Sequence, residues 1–304
     1  MPSEARRVRG ILQMSEQTAS ADNANAAMRR YWNEVAGPRW VERAEIQEAR
    51  NIEVAQILLR GAKAQPGERV LDVGCGPGAT ALPLAAAVGT SGHVTGVDIS
   101  EPMLGLLRRR VEEQGITNLT PLLADAQTHA FEPASVDLLT SRFGVMFFAD
   151  HLAAFRNFGK ALRPGGRLCM AVWAGIADNR HWQIPFEIAV KHVGPPKPQP
   201  PNAPGPMALG DPDYVREVLN GAGFAEIAIE PTQFHVIGKS AASEAEHAGA
   251  LGPSGRLLDE KEADPATRRA VVQETEAAFA AQFGREGQIR LPGMFFLLSA
   301  RRPA

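Results

Sequence analysis

Gly74, Gly76 and Gly78 alternate with Cys75 and Pro77 directly after a short apolar run at 70–73. Glycine has no Cβ, so this stretch lets bare backbone approach a nucleotide-like ligand. The N–H groups that open the following helix favour negative charge there. About 20 residues on, a second apolar run at 93–97 ends in Asp98, placed to accept from both hydroxyls of a ribose. A third run, 119–123, leads to Asp125 and Ala126. Residues 74–79 also satisfy the G-x-G-x-x-(G/A) pattern of dinucleotide-binding loops. Asp72 separates the two readings, because dinucleotide dehydrogenases carry an apolar residue at that point of the strand. A carboxylate there suits a ligand with an ammonium group, or a water held by one.

Thr140-Ser141-Arg142-Phe143-Gly144 closes a fourth run. Arg142 is a candidate for contact with a cofactor or an anionic substrate, or for a plain salt bridge. Phe143, Met146, Phe147 and Phe148 supply either a pocket wall or core. His151, His181, His192 and His235 titrate near neutrality. Of these, His181 is the best placed, since Asn179-Arg180-His181-Trp182 follows the fifth run; a structural role is the alternative. No H-x-x-x-H spacing or histidine–carboxylate cluster appears, so no metal is expected. Cys75 and Cys169 form neither a disulfide framework nor a C-x-x-C pair.

Such residues need a scaffold that brings strand ends to one edge. Predicted strands at 70–73, 94–97, 119–123, 136–140 and 167–172 alternate with predicted helices at 79–88, 101–114 and 152–162. That alternation specifies a parallel, doubly wound sheet, which binds ligands at the carboxyl ends of its strands. The expected fold is α/β: a Rossmann-like, seven-stranded, mostly parallel sheet with helices on both faces, an N-terminal helical lid and an insertion after strand 5. Residues 1–21 are predicted to form a disordered tail. Residues 22–66 form the lid, with a helix capped by Asp22 running to Val35 and ended by Gly37-Pro38. A second lid helix runs from Trp40 to about Gly61 and turns Val41, Ile46, Ile52, Ala55, Ile57, Leu58 and Leu59 mainly towards the sheet. Residues 67–173 form the ligand-binding core, and 174–210 a proline-rich insertion that caps the substrate, stiff over 194–206. Residues 211–304 complete the sheet, with a helix at 211–220, a strand at 225–229, a helical stretch at 265–283 and a final antiparallel strand at 294–300.

A net charge of −2 gives no electrostatic footprint for nucleic acid. No apolar run approaches the ~18 residues that span a bilayer. The basic segment 1–11 lacks the apolar stretch of a signal peptide, so a cytoplasmic location is expected. The expected partner is a small molecule, and the proline-rich insertion and C-terminal section are the candidate surfaces for a homodimer.

Leu71-Asp72-Val73-Gly74-Cys75-Gly76-Pro77-Gly78 resembles the first motif of class I S-adenosylmethionine (SAM) methyltransferases. The resemblance implies SAM as cofactor and S-adenosylhomocysteine (SAH) as product. It assigns Asp72, Gly74, Gly76 and Gly78 to the methionine and ribose portion, and Asp98 to the ribose diol. Ile99 and Met103 would cover adenine, and the pair Asp125-Ala126 would meet its exocyclic amine and ring nitrogen. Trp32 and Trp40, with Tyr31, become a lid whose rings attract a sulfonium by ~0.5–2 kcal/mol, or else a face that holds the first helices to the sheet. The Asn/Asp-Pro-Pro-aromatic motif of base-amine methyltransferases is missing at 140–144, which argues against DNA. Residues 141–150 with Ala161-Leu162-Arg163-Pro164-Gly165-Gly166 look like the ubiquinone/menaquinone-biosynthesis-like group of small-molecule methyltransferases. The implied activity is methyl transfer by in-line displacement to a small organic acceptor: quinone-like, phenolic or another secondary metabolite. His181 and Arg142 are the only catalytic candidates. An NAD(P)-dependent oxidoreductase and a non-catalytic SAM-binding protein are the alternatives.

Overall fold

The computed structural model describes residues 25–284 and 287–304. The tail at 1–21 and the Asp22 cap lie outside the described residues. Five short, mostly apolar runs form β1 (Arg69–Val73), β2 (His93–Asp98), β3 (Leu119–Leu123), β4 (Val136–Arg142) and β5 (Leu162–Trp173). With β6 (Ala225–Gly238) and β7 (Ile289–Arg301) they make one seven-stranded sheet in the order β3-β2-β1-β4-β5-β7-β6. Strands β1 to β5 run parallel, and β7 is antiparallel to both β5 and β6. The sheet is therefore the Rossmann-like, mostly parallel one that the alternation of elements predicts.

The helices are α1 (Ala26–Arg30), α2 (Ala36–Glu42), α3 (Ala44–Arg50), α4 (Ile52–Ala62), α5 (Ala81–Val88), α6 (Glu101–Glu113) and α7 (His151–Ala161). They continue with α8 (Arg180–Val193), α9 (Pro212–Gly221), α10 (Ala241–Ala250), α11 (Gly252–Glu260) and α12 (Pro265–Phe283). Successive strand residues point to opposite faces, so Val70 and Leu71 enter different cores. Leu58, Leu84, Leu104 and Leu107 from α4, α5 and α6 pack with Val70. Phe155 and Phe158 of α7, with Val215 and Leu219 of α9, pack with Leu71 and Val73. Each of these buried side chains removes apolar surface worth about 1.5–3 kcal/mol.

The N-terminal region departs from its predicted layout. The chain does not break at Gly37-Pro38: α1 passes through a π-turn (Tyr31–Val35) into α2, with Pro38 in the first turn, where its missing N–H is no loss. Gly37 serves close packing instead, since a Cβ there would stand 2.0 Å from the Trp32 carbonyl oxygen and 2.6 Å from Ser100 Oγ. The single helix predicted for 40–61 is divided into three segments at Arg43 and Asn51, whose ψ values of 17° and 20° leave the helical range. Each division resets the helical phase. Ile46 and Ile52, predicted to face the sheet, are consequently exposed, and Val54 and Leu58 are buried.

Strands β6 and β7 also extend well past their predicted limits. Their outer halves pair as a hairpin, with Phe234 opposite Gly293 and Val236 opposite Leu291. Helices α10 to α12 are inserted at its far end. Helix α8, from the insertion after β5, packs on all three. The cap over the strand tips is thus assembled from two insertions. No described helix is long and apolar enough to cross a membrane.

Candidate active site

The parallel strands end along one edge, and a cavity of about 560 Å³ opens between that edge, the N-terminal helices and the helical cap. Its sheet side is built by the loop after β1. Gly74 has φ +64°, and a Cβ on it would lie 2.6 Å from Gly144 Cα, so the β1 and β4 loops touch backbone to backbone. Gly76, with φ +53°, lines the cavity. Gly78 does not: with φ +96° it admits Leu107 of α6, whose Cδ1 would sit 2.5 Å from an added Cβ.

Asp98, at the tip of β2, accepts the Gly76 N–H at 2.8 Å on one carboxylate oxygen and the Ser100 N–H at 2.9 Å on the other. Burial raises its pKa to about 6 against the opposing pull of these N–H groups. Two hydrogen bonds leave further lone pairs on the carboxylate, which lines the cavity beside Ile99 and Met103. Asp125 and Ala126 line it past β3. The Asp125 carboxylate accepts Asn25 Nδ2 at 2.8 Å and the Gln127 N–H at 3.0 Å.

Asp72 is placed differently from the other two acids. It pairs in register with Thr140 of β4, and its two oxygens accept the hydroxyls of Thr80 and Thr140, each at 2.8 Å. The carboxylate is fully buried beneath the glycine loop and does not line the cavity. Burial raises its pKa to about 6, opposed by the two hydroxyls and by Arg142. It braces the loop from below. The sequence reading has it meet a ligand ammonium or a water held by one; the structure leaves it outside the cavity lining, bonded to the two threonine hydroxyls.

Arg142, at the tip of β4, lines the cavity with its Nε buried and without a hydrogen-bond partner. Burial lowers its pKa, offset by Glu48 and Asp72. Next to it Phe143 holds φ +63°, an uncommon conformation for a bulky residue, and stacks on Trp173 at 3.9 Å between centroids. Met146, Phe147 and Phe148 continue this wall. Trp32 meets Trp40 and Phe147 edge-on at 6.0 and 5.0 Å, and both tryptophans line the cavity. His181 lines the cap side, whereas His151, His192 and His235 do not. His192 bonds Glu274 at 2.9 Å, and His151 approaches the Tyr214 hydroxyl at 3.3 Å. Among the described residues there is no group of three His, Cys, Asp or Glu suited to a metal ion.

Two asparagines that sequence reasoning overlooked tie the N-terminal helices to the strand tips. Asn25 bonds Asp125, and its carbonyl accepts the Ala149 N–H at 2.8 Å. Asn33 donates to the Ile99 carbonyl at 3.0 Å and accepts the Glu101 N–H at 2.9 Å, which caps α6. The Ser100 hydroxyl donates to the Trp32 carbonyl at 2.9 Å. Also overlooked is the cap-side pair Arg50–Glu244, 2.8 Å apart and nearly dry, joining α3 to α10.

Residues 70–166 match the protein family described as a methyltransferase domain. Nocamycin O-methyltransferase of Saccharothrix syringae is 32% identical over 182 residues, covering 57% of this chain and 65% of that protein. Demethylmenaquinone methyltransferase of Listeria welshimeri is 36% identical over 133 residues, covering 44% of this chain and 56% of that protein. The chain therefore spans between half and two-thirds of the length of these curated relatives. In fold, it resembles the YcgJ protein of Bacillus subtilis with a TM-score of 0.53 at 16% identity, over 82% of this chain and 98% of that one. A seven-stranded sheet ordered 3-2-1-4-5-7-6, a glycine loop after β1 and an acid at the tip of β2 agree with those matches: residues 70–166 carry a methyltransferase domain, and the chain is similar to class I SAM-dependent methyltransferases.

Proposed function

We propose that this chain transfers a methyl group from SAM to a small organic acceptor. The observation that carries the reading is Asp98, fixed by two backbone N–H groups at a strand tip with lone pairs facing a cavity. The donor set suits an adenosyl group. Asp98 presents acceptors for a ribose diol and Asp125 an acceptor for an exocyclic amine. Gly76 offers backbone without a side chain where a bulky substituent would narrow the cavity. Asp72 acts through Thr80 and Thr140, holding the glycine loop and β4 in register. The sulfonium supplies an activated methyl: the carbon–sulfur bond breaks as the bond to the acceptor forms, and the electron pair leaves on a neutral thioether.

The chain's own contribution is alignment and exclusion of water, which supply much of the acceleration in a displacement with a good leaving group. Trp32, Trp40, Phe143 and Phe147 enclose the cavity with aromatic faces. The division into a lid over 22–66, a cofactor half over 67–173 and a cap begun at 174–210 is part of the same proposal. So is the choice of a small molecule over nucleic acid.

Asp98→Ala tests the reading. Losing a charged hydrogen-bond acceptor is expected to weaken SAH binding roughly 10- to 100-fold by calorimetry, with circular dichroism unchanged. SAM, and not NAD(H), is expected to raise the melting temperature of the native protein. Unchanged affinity in the variant, or stabilisation by NAD(H) alone, would overturn the assignment.

A further inference from the structure

The cap-side end of the cavity carries polar groups for which methyl donation has no use. Arg50, Gln47, His181 and His247 all line it, each less than a tenth exposed. Arg50 gives its Nε–H to Glu244 at 2.8 Å and one Nη1–H to Gln47 at 3.2 Å. A guanidinium has five N–H donors, so three remain without an acceptor among the described residues. Glu244 is itself held deliberately: Gly238 leaves its space, and a Cβ there would come within 2.2 Å of Glu244 Cγ. The pair holds the guanidinium through its Nε, and Arg50 lines the cavity with donors to spare.

His181 adds a complementary group. Its ring lies close to Pro292, and its buried Nδ1 has no hydrogen-bond partner. A neutral imidazole has one nitrogen with a free lone pair, and with Nδ1 in that state the unpartnered atom is an acceptor for a hydroxyl. Burial and the nearby Arg50 charge favour that neutral form. His247, also near Arg50, has a buried Nδ1 without a partner as well. Buried polar atoms left unpaired are costly, and a ligand that satisfies them is favoured over one that does not. Trp173 and Trp182, 4.4 Å apart between centroids, wall this end with aromatic surface.

We propose that this end is the acceptor subsite, and that it takes an aromatic hydroxy acid, with Arg50 donating to the acidic oxygen and His181 Nδ1 accepting the hydroxyl. The inference rests on the methyltransferase reading, which assigns the opposite end of the cavity to the methyl donor.

The test titrates the SAH-saturated protein with 3-hydroxy-2-naphthoate, its neutral amide, and 2-naphthoate, which lacks the hydroxyl. The hydroxy acid is expected to bind about tenfold or more tightly than its amide, as a charged hydrogen bond requires. Removing Arg50 alone strands a buried carboxylate, so the charge is deleted as a pair, Arg50→Met with Glu244→Leu. That double variant is expected to keep SAH affinity and lose the preference for the acid. His181→Phe is expected to equalise 3-hydroxy-2-naphthoate and 2-naphthoate. A wild-type protein that binds SAH but shows no preference for the acid, or binds none of the probes, overturns the subsite alone. So does a double variant that retains the preference. Failure of the wild type to bind SAH overturns the methyltransferase reading and this inference with it.

Discussion

Asp98 and Asp72 are both raised to about 6 by burial, yet only Asp98 faces the cavity. Hydroxyl donors from a ribose favour the charged carboxylate, so binding should pull the Asp98 pKa down. Between pH of about 4 and 6 the free protein holds that proton and the complex releases it. SAH affinity is therefore expected to fall as the pH drops below about 6. Calorimetry in buffers of different ionisation enthalpy should detect up to one proton released per site. A proton count of zero at pH 5.5 would remove Asp98 from the contact. The raised value works the other way for stability at Asp72. Its folded form binds the proton more tightly than the unfolded chain, so its contribution to stability grows as the pH falls from 6 towards the ordinary carboxylate range. Asp98 and the glycines are legible in the sequence because an acid ending an apolar run at fixed distance from a glycine loop is an uncommon pattern. Asn25, Asn33 and the Arg50–Glu244 pair are not. Asparagine is ordinary near helix starts, and the partners here lie 66 to 194 residues away.

At the scale of elements, the N-terminal helices are held to the strand edge by few polar contacts, of which Asn33 supplies two. Asn33→Ala removes the cap of α6 and should cost about 1 kcal/mol. It should also free the Trp32 segment, so that SAH dissociates faster and amides of 26–42 exchange faster with solvent. Equal exchange in variant and native protein would show that Asn33 does not hold the lid. This segment is also where sequence reasoning about elements fails. Gly37-Pro38 has the composition of a helix break, but the π-turn before it changes the register and Gly37 is needed for contact with Trp32. The β1 to β5 pattern was readable because buried parallel strands are continuous apolar runs. The outer halves of β6 and β7 were not, since 230–235 interleaves Glu, Pro, Thr, Gln and His with a single Phe.

Across the whole molecule, three histidines are buried and depressed: His151, His181 well below the ordinary range, and His247 to about 2. The unfolded chain takes up their protons from about pH 6.5 downward while the fold refuses them, so acid destabilises the protein. Asp72 and Asp98 oppose this below about 6, two groups against three. The melting temperature is expected to fall between pH 7 and 5, and His247→Leu should make that fall shallower. An identical slope in the variant would show that His247 is not buried in neutral form.

The cap comes from chain inserted at two places, after β5 and between β6 and β7, and neither insert belongs to the parallel strands that present Asp98 and Asp125. The two ends of the cavity are therefore under separate constraints. On the proposed reading, changes in α8 and α10 to α12 would reshape the acceptor end around Arg50 of α3 and leave the strand edge proposed to hold the donor as it is.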